Sequence, residues 1–118
     1  MVARREALLA RAAEMGCETV LDAGLPGIIG SADIIINSVP AMMINAELLT
    51  RVPSRALILD LASPPGGVDF DAAARMNIKA KLLPGLPGIV APETAGAILA
   101  SSIPKLIRNY FANIGGVL

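Results

Sequence analysis

Two uninterrupted apolar runs set the pattern of this chain: Ile34-Ile35-Ile36, closed by Asn37, and Ala56-Leu57-Ile58-Leu59, closed by Asp60. Aliphatic runs of this length without polar alternation predict strands buried on both faces, as in a parallel sheet covered by helices. Residues 5–15 repeat instead at helical spacing. Leu8, Ala12 and Met15 fall on one face, charges lie elsewhere, and Gly16 stands at the C-terminal stop. A short strand over 18–21 and a Gly/Pro-containing stretch over 22–31, with room for one helical turn, follow. Asn45 is placed to cap a short helix through Arg51, which Pro53 ends. Asp69 is placed to cap another to about Met76, with Asp71 in its first turn. Residues 78–83 predict the next strand. A long helix from Pro92 to about Asn113 carries the stripe Ile98, Leu99, Ile103, Leu106, Ile107 and Tyr110, and Pro104 within it predicts a kink or interruption.

Strands alternating with helices predict a right-handed βαβ succession and a parallel sheet, an α/β fold of the three-layer, Rossmann-like kind, forming one domain over 1–118. One element is missing. A dinucleotide-binding fold starts with a strand, a Gly-x-Gly-x-x-Gly turn and a helix that cradles the pyrophosphate. Leu25-Pro26-Gly27-Ile28-Ile29-Gly30 contains glycines but neither follows a convincing strand nor has the spacing. The expected fold is therefore incomplete, lacking the first strand and the glycine-rich turn. An exposed sheet edge at that position would favour self-association into a homo-oligomer.

Composition narrows the chemistry. Hydrophobic residues make up 54% and aromatics 3%, so Ala, Ile, Leu, Val and Met build the core. Ten basic residues balance ten acidic ones, which leaves no cationic footprint for nucleic acid and disfavours an anionic lipid surface. No apolar run approaches the ~18 residues of a membrane span. No apolar signal region follows the N-terminal Arg4-Arg5 pair either, so the cytoplasm is the expected compartment. Histidine is absent and Cys17 is the one cysteine. Disulfides, zinc sites of ordinary composition and Ser-His-Asp or Cys-His machinery are thereby excluded, and no metal site is expected. Cys17, just past a helix end, reads as a packing residue.

In a parallel α/β sheet, ligands bind beyond the carboxyl ends of the strands. Four such ends carry small, polar or Gly/Pro residues here. At the first, Arg4 and Arg5 follow Ala3 where an acid would bind a ribose 2′-OH; arginine at that place accommodates a 2′-phosphate, which favours NADP(H) over NAD. Both arginines read equally as solvated residues of a helix's first turn. At the second, Asn37, Ser38, Val39 and Pro40 offer hydrogen-bonding groups on a backbone that Pro40 holds extended; they suit a cofactor ribose and nicotinamide, or an ordinary strand-to-helix turn. At the third, Asp60 precedes Leu61, Ala62 and Ser63, and either orients a reacting group or caps a turn. The fourth runs from Pro84 through Pro87, Gly88 and Val90 toward Pro92, whose missing N–H costs nothing in a first helical turn. This rigid, small-residue loop suits an anionic ligand, or a simple connection.

The ordered segments Ala10-Arg11-Ala12-Ala13-Glu14-Met15-Gly16, Ala32 to Pro40, Leu59-Asp60-Leu61-Ala62-Ser63-Pro64-Pro65-Gly66-Gly67-Val68-Asp69-Phe70 and Gly85 to Gly96 resemble the nucleotide-binding part of the A-type subunit of dipicolinate synthase, over essentially the whole chain. The resemblance implies an NADP-dependent oxidoreductase that oxidises dihydrodipicolinate, from the diaminopimelate/lysine route, to dipicolinate during sporulation. The implied partner is the B-type, flavoprotein-like subunit of that synthase. The resemblance also implies that Arg4 contacts the 2′-phosphate, that Asn37 to Pro40 and Leu61 to Ser63 line the cofactor cleft, and that Pro87 to Val90 border the nicotinamide. Relative to that family's full pattern, an N-terminal substrate domain and the first βαβ element are absent, so the chain reads as a piece inactive alone. Methylenetetrahydrofolate dehydrogenases, also NADP-linked, share a similar Val-Asp-Phe helix start and Pro-Gly-x-Val-x-Pro loop. A non-catalytic binding or assembly module is the third reading.

Overall fold

The computed structural model describes residues 1–84 and 103–112. The chain opens with β1 (Val2–Ala3), α1 (Glu6–Glu14) and β2 (Val20–Leu21). Three short helical turns over 22–31, the middle one α2 (Leu25–Ile28), lead to β3 (Ile34–Asn37). Then come α3 (Ala46–Leu49), β4 (Leu57–Asp60), α4 (Phe70–Arg75) and β5 (Lys79–Leu82). A last helix, α5, covers residues 103–112.

All strand pairing is parallel, but it is divided between two sheets: β1 with β2, and β3-β4-β5 in that order. A single sheet is the expectation from the sequence; the break falls between β1 and β3. This placement changes β3. Its apolar run predicts burial on both faces, yet Ile34 and Ile35 are only partly covered and Ile36 is 52% exposed. The cause is its position at a sheet edge, with β4 as its one hydrogen-bonded neighbour. Strand β4, flanked on both sides, is buried throughout, as its apolar run predicts.

Register explains the layers. Ile35 lies beside Ile58, which lies beside Ala80, and this face packs on α3 and α4 around Ile44, Leu49, Val68 and Ala72. The opposite face of β4 carries Leu57 and Leu59, which share a cavity with Leu106 and Tyr110 of α5. Tyr110 Oη donates to the Arg55 carbonyl at 3.3 Å and so ties α5 to the start of β4. Helices thus cover both faces of the three-stranded sheet, and the architecture is an incomplete, three-layer Rossmann-like α/β fold.

Local signals hold where capping chemistry is explicit. Asn45 Oδ1 accepts from Leu48 N, and Asp69 Oδ1 accepts from Ala72 N, both at 2.9 Å. Asp69→Ala is expected to lower stability by about 1 kcal/mol, read from the midpoint shift in urea at unchanged slope. Gly16 ends α1 with φ +84°, a left-handed turn that L side chains resist. The buried face of α1 is displaced from the expected one: Leu9 and Ala12 are covered, whereas Leu8 and Met15 are 45% and 82% exposed. The sheet beneath α1 is only two residues deep per strand, enough to cover a narrow stripe. Cys17 is exposed and does not pack, because the chain turns away from the helix at Gly16 before β2 begins. Pro104 lies in the first described turn of α5. The loop 85–96 and the part of the predicted helix over 92–102 lie outside the described residues.

Candidate functional site

The carboxyl ends of the three-stranded sheet are level, since Asn37, Asp60 and Leu82 stand beside one another in register. Asp60 is fully buried there, with no cation among its hydrogen-bond partners. Its Oδ1 accepts from Asn37 Nδ2 and from Ala62 N, each at 3.0 Å, and its Oδ2 accepts from Gly67 N at 2.6 Å. Asn37 Nδ2 also donates to the Val39 carbonyl at 3.0 Å, while Asn37 Oδ1 accepts from Val39 N at 3.3 Å. One carboxylate therefore joins the loops after β3 and β4 and the turn before α4. Of the two roles open to Asp60 in the sequence, this geometry is that of an anchor: both oxygens are engaged and neither faces solvent.

Gly66 and Gly67 make that closeness possible. Gly66 has φ +85°, and a Cβ there would collide with Asp60 Oδ2. A Cβ on Gly67 would lie 2.6 Å from the carbonyl oxygens of Val39 and Ala41 and against Asn37 Nδ2. The glycines are needed for backbone to meet backbone, and no ligand is required to explain them.

The residues singled out in the sequence are sorted by this frame. Asn37 is buried within it, and Ser38, Val39 and Pro40 continue outward, exposed. Leu61 and Ala62 are buried at 9% and 3%, so they support the rim of the strand ends, and Ser63 is the exposed member of that trio. Pro87, Gly88 and Val90 lie outside the described residues. Arg4 and Arg5, adjacent in sequence, separate in space. Arg5 is the exposed N-cap residue of α1, with no side-chain capping bond. Arg4 borders a cavity of about 400 Å³ together with Asp22, Met43, Asn45, Glu47 and Arg51.

In that cavity Arg4 Nε is 3.2 Å from Asp22 Oδ2, and Arg4 Nη2 reaches Met43 Sδ at 3.8 Å. The ion pair is open to water, with side chains 68% and 37% exposed, and such pairs contribute about 0–1 kcal/mol. Asp22 Oδ1 also accepts from Ala23 N at 2.9 Å, which holds the carboxylate in place at the end of β2. Asp22, Asn45, Glu47 and Arg51 carry no motif of their own. Asp22 is legible in the sequence only as the polar residue after a short strand, and Arg51 only as the end of a helix. Among the described residues no group of three or more His, Cys, Asp and Glu side chains could hold a metal ion, and no helix is long and apolar enough to cross a membrane.

Level carboxyl ends, parallel pairing and helices on both faces define the class: an α/β chain of partial Rossmann-like fold, with its candidate site where such folds bind ligands. No family model matches the sequence. Comparison with curated proteins finds the A-type subunit of dipicolinate synthase of Bacillus subtilis (strain 168), 48% identical over 113 residues, which is 96% of this chain and 38% of that protein. Among solved structures, the corresponding dipicolinate synthase polypeptide from Bacillus halodurans superposes with a TM-score of 0.70 at 48% identity, covering 89% of this chain and 36% of that one. Its counterpart in the dipicolinate synthase structure from Bacillus subtilis gives 0.71 at 47%, covering 95% and 38%. Over the matched portion the chain is homologous to the A-type subunit of dipicolinate synthase, as its motifs indicate. It spans little more than a third of the length of these relatives.

Proposed function

We propose that this chain supplies the nucleotide-binding part of an oxidoreductase of the A-type dipicolinate synthase kind, with NADP⁺ as hydride acceptor and dihydrodipicolinate as substrate. The observation that carries the reading is Arg4. Its guanidinium stands just past the end of β1 on a cavity of about 400 Å³, with Arg51 on the same wall. In dinucleotide-binding folds a basic residue at this place accommodates a 2′-phosphate where an acid would take the 2′-OH. The cavity is of a size that suits the adenosine end of the dinucleotide. The weak pair with Asp22 can open at little cost when a phosphate arrives.

When bound, the nicotinamide takes up the hydride that leaves the substrate ring, and loss of a proton completes aromatisation. The part of this chain is orientation. Asp60 fixes the loops after β3 and β4, so that Ser38, Val39, Pro40 and Ser63 border the cleft on a rigid backbone, with Pro87 to Val90 as its continuation. The naming of the relatives as one subunit of a synthase supports a second, B-type flavoprotein-like subunit as partner, and cytoplasmic sporulation metabolism as the setting.

The test is turnover. The chain is combined with the remainder of the Bacillus subtilis relative and supplied with dihydrodipicolinate and either NADP⁺ or NAD⁺, with reduced nicotinamide followed by absorbance. Formation of NADPH faster than NADH is expected. Oxidation of methylenetetrahydrofolate in its place would assign the other NADP-linked reading. Assembly with partner protein and no turnover of either substrate would assign a binding module.

A further inference from the structure

The gap between β1 and β3 is a site in its own right. It encloses about 450 Å³ and is walled by Met1 and Val2 on one side and by Ile34, Ile35 and Ile36 on the other, with Ile44 at its base. Both walls are strand edges. On β3, the carbonyls of Asp33 and Asn37 accept Leu57 N and Leu61 N at 3.0 and 2.8 Å, so residues 33, 35 and 37 are committed to β4. Successive residues of a strand direct their N–H and C=O groups to opposite sides, and Ile34 and Ile36 therefore turn theirs into the gap. On β1, the Met1 carbonyl accepts Val20 N at 3.0 Å, which leaves Val2 facing the gap in the same way.

The two edges run in one direction. Arg4, just beyond the carboxyl end of β1, touches Met43, which lies beyond the carboxyl end of β3. In a doubly wound sheet of order 3-2-1-4-5-6, the strands β2, β1, β3, β4 and β5 occupy places 3, 2, 4, 5 and 6. Place 1 is the gap. Backbone donors and acceptors on two facing edges cannot be satisfied by a small apolar molecule. They call for one extended chain that bonds on both sides, with apolar side chains to complete the cover of Ile34 and Ile36.

We propose that this slot docks a single apolar β-strand, parallel to β1 and β3, from polypeptide equivalent to the portion of the dipicolinate synthase relatives that these 118 residues do not match. The matched portion is 38% of the Bacillus subtilis relative, which leaves ample chain to supply it. A second copy is a poor donor, since every described strand is already paired within its own sheet. Insertion joins the two sheets into one, and it holds whether or not nucleotide binds.

The experiment co-expresses the chain with the remainder of the Bacillus subtilis relative as a separate tagged polypeptide, in the absence of nucleotide. Amide hydrogen exchange is compared for the chain alone and in the purified complex. A one-to-one complex is expected, with exchange slowed at the amides of Val2, Ile34 and Ile36 and little changed at Ile35, which already bonds to β4. Ile36→Pro removes a slot-facing donor without touching the β4 ladder, and should weaken the complex about tenfold. The wild-type exchange pattern decides the matter even where that variant folds poorly. Absence of a complex, a complex that leaves those amides unprotected, or a dimer of the chain alone with those amides already protected would each overturn the proposal.

Discussion

Asp60→Ala is expected to destabilise the chain by about 4 kcal/mol, because it strands several buried donors at once. Asn37 Nδ2, Ala62 N and Gly67 N all lose an acceptor in a place closed to solvent. Domains of this size hold only about 5–15 kcal/mol in all, so the variant should stand close to its unfolding midpoint under native conditions. Asp60→Asn separates size from chemistry. The amide fills the same space and keeps one acceptor, but its NH2 group must face a backbone donor, and about half of the loss is expected. Urea denaturation followed by circular dichroism gives both values. A full-strength Asp60→Asn protein would show that the carboxylate is not what joins the three loops.

Gly67→Ala is the second large effect. One methyl group there meets two backbone carbonyls at 2.6 Å as well as the Asn37 side chain. Backbone oxygens cannot rotate away, so the loop after β3 must move as a whole, at a cost of about 3 kcal/mol. Gly27→Ala serves as the control: it too lies outside the left-handed region, and a Cβ there meets nothing within 4 Å. Stability loss at Gly67 alone supports the close loop packing. Equal losses at both positions would point to a general intolerance of substitution.

The elements that could be read from the residues are those whose cause is local. Asn45 and Asp69 cap helices because a side-chain oxygen can reach an amide three residues on, and Gly16 ends α1 because a left-handed turn suits it. The burial of β4 was equally legible, since Leu57 to Asp60 sits between two other strands wherever the run is placed at the centre of a sheet. The same reasoning failed for β3. Three isoleucines declare a need for cover on both faces, but the strand that would flank them is not among the described residues, and Ile36 is left half exposed. The exposed Leu8 and Met15 have a related origin, a sheet beneath α1 too small to cover a wide face.

The site was legible in kind more than in detail. Strand ends rich in small and polar residues marked the right end of the sheet, and Arg4 does line a cavity there. Which residues face a ligand is a matter of packing between distant segments. Leu61 and Ala62 turned inward because Asp60 draws their loop onto Gly67, a contact across seven residues that no spacing rule announces. Asp22 and Arg51, from the end of β2 and the end of α3, meet Arg4 only in three dimensions.

The central claim, that Arg4 recognises a 2′-phosphate, is tested most directly by calorimetric titration of the chain with 2′,5′-ADP and with 5′-AMP. These probes carry the adenosine end alone and do not depend on a pyrophosphate cradle. The account predicts about tenfold tighter binding of 2′,5′-ADP, a preference lost in Arg4→Ala and increased in Asp22→Asn, which frees the guanidinium from its ion pair. Equal affinity for the two probes, or a preference that survives Arg4→Ala, would contradict it.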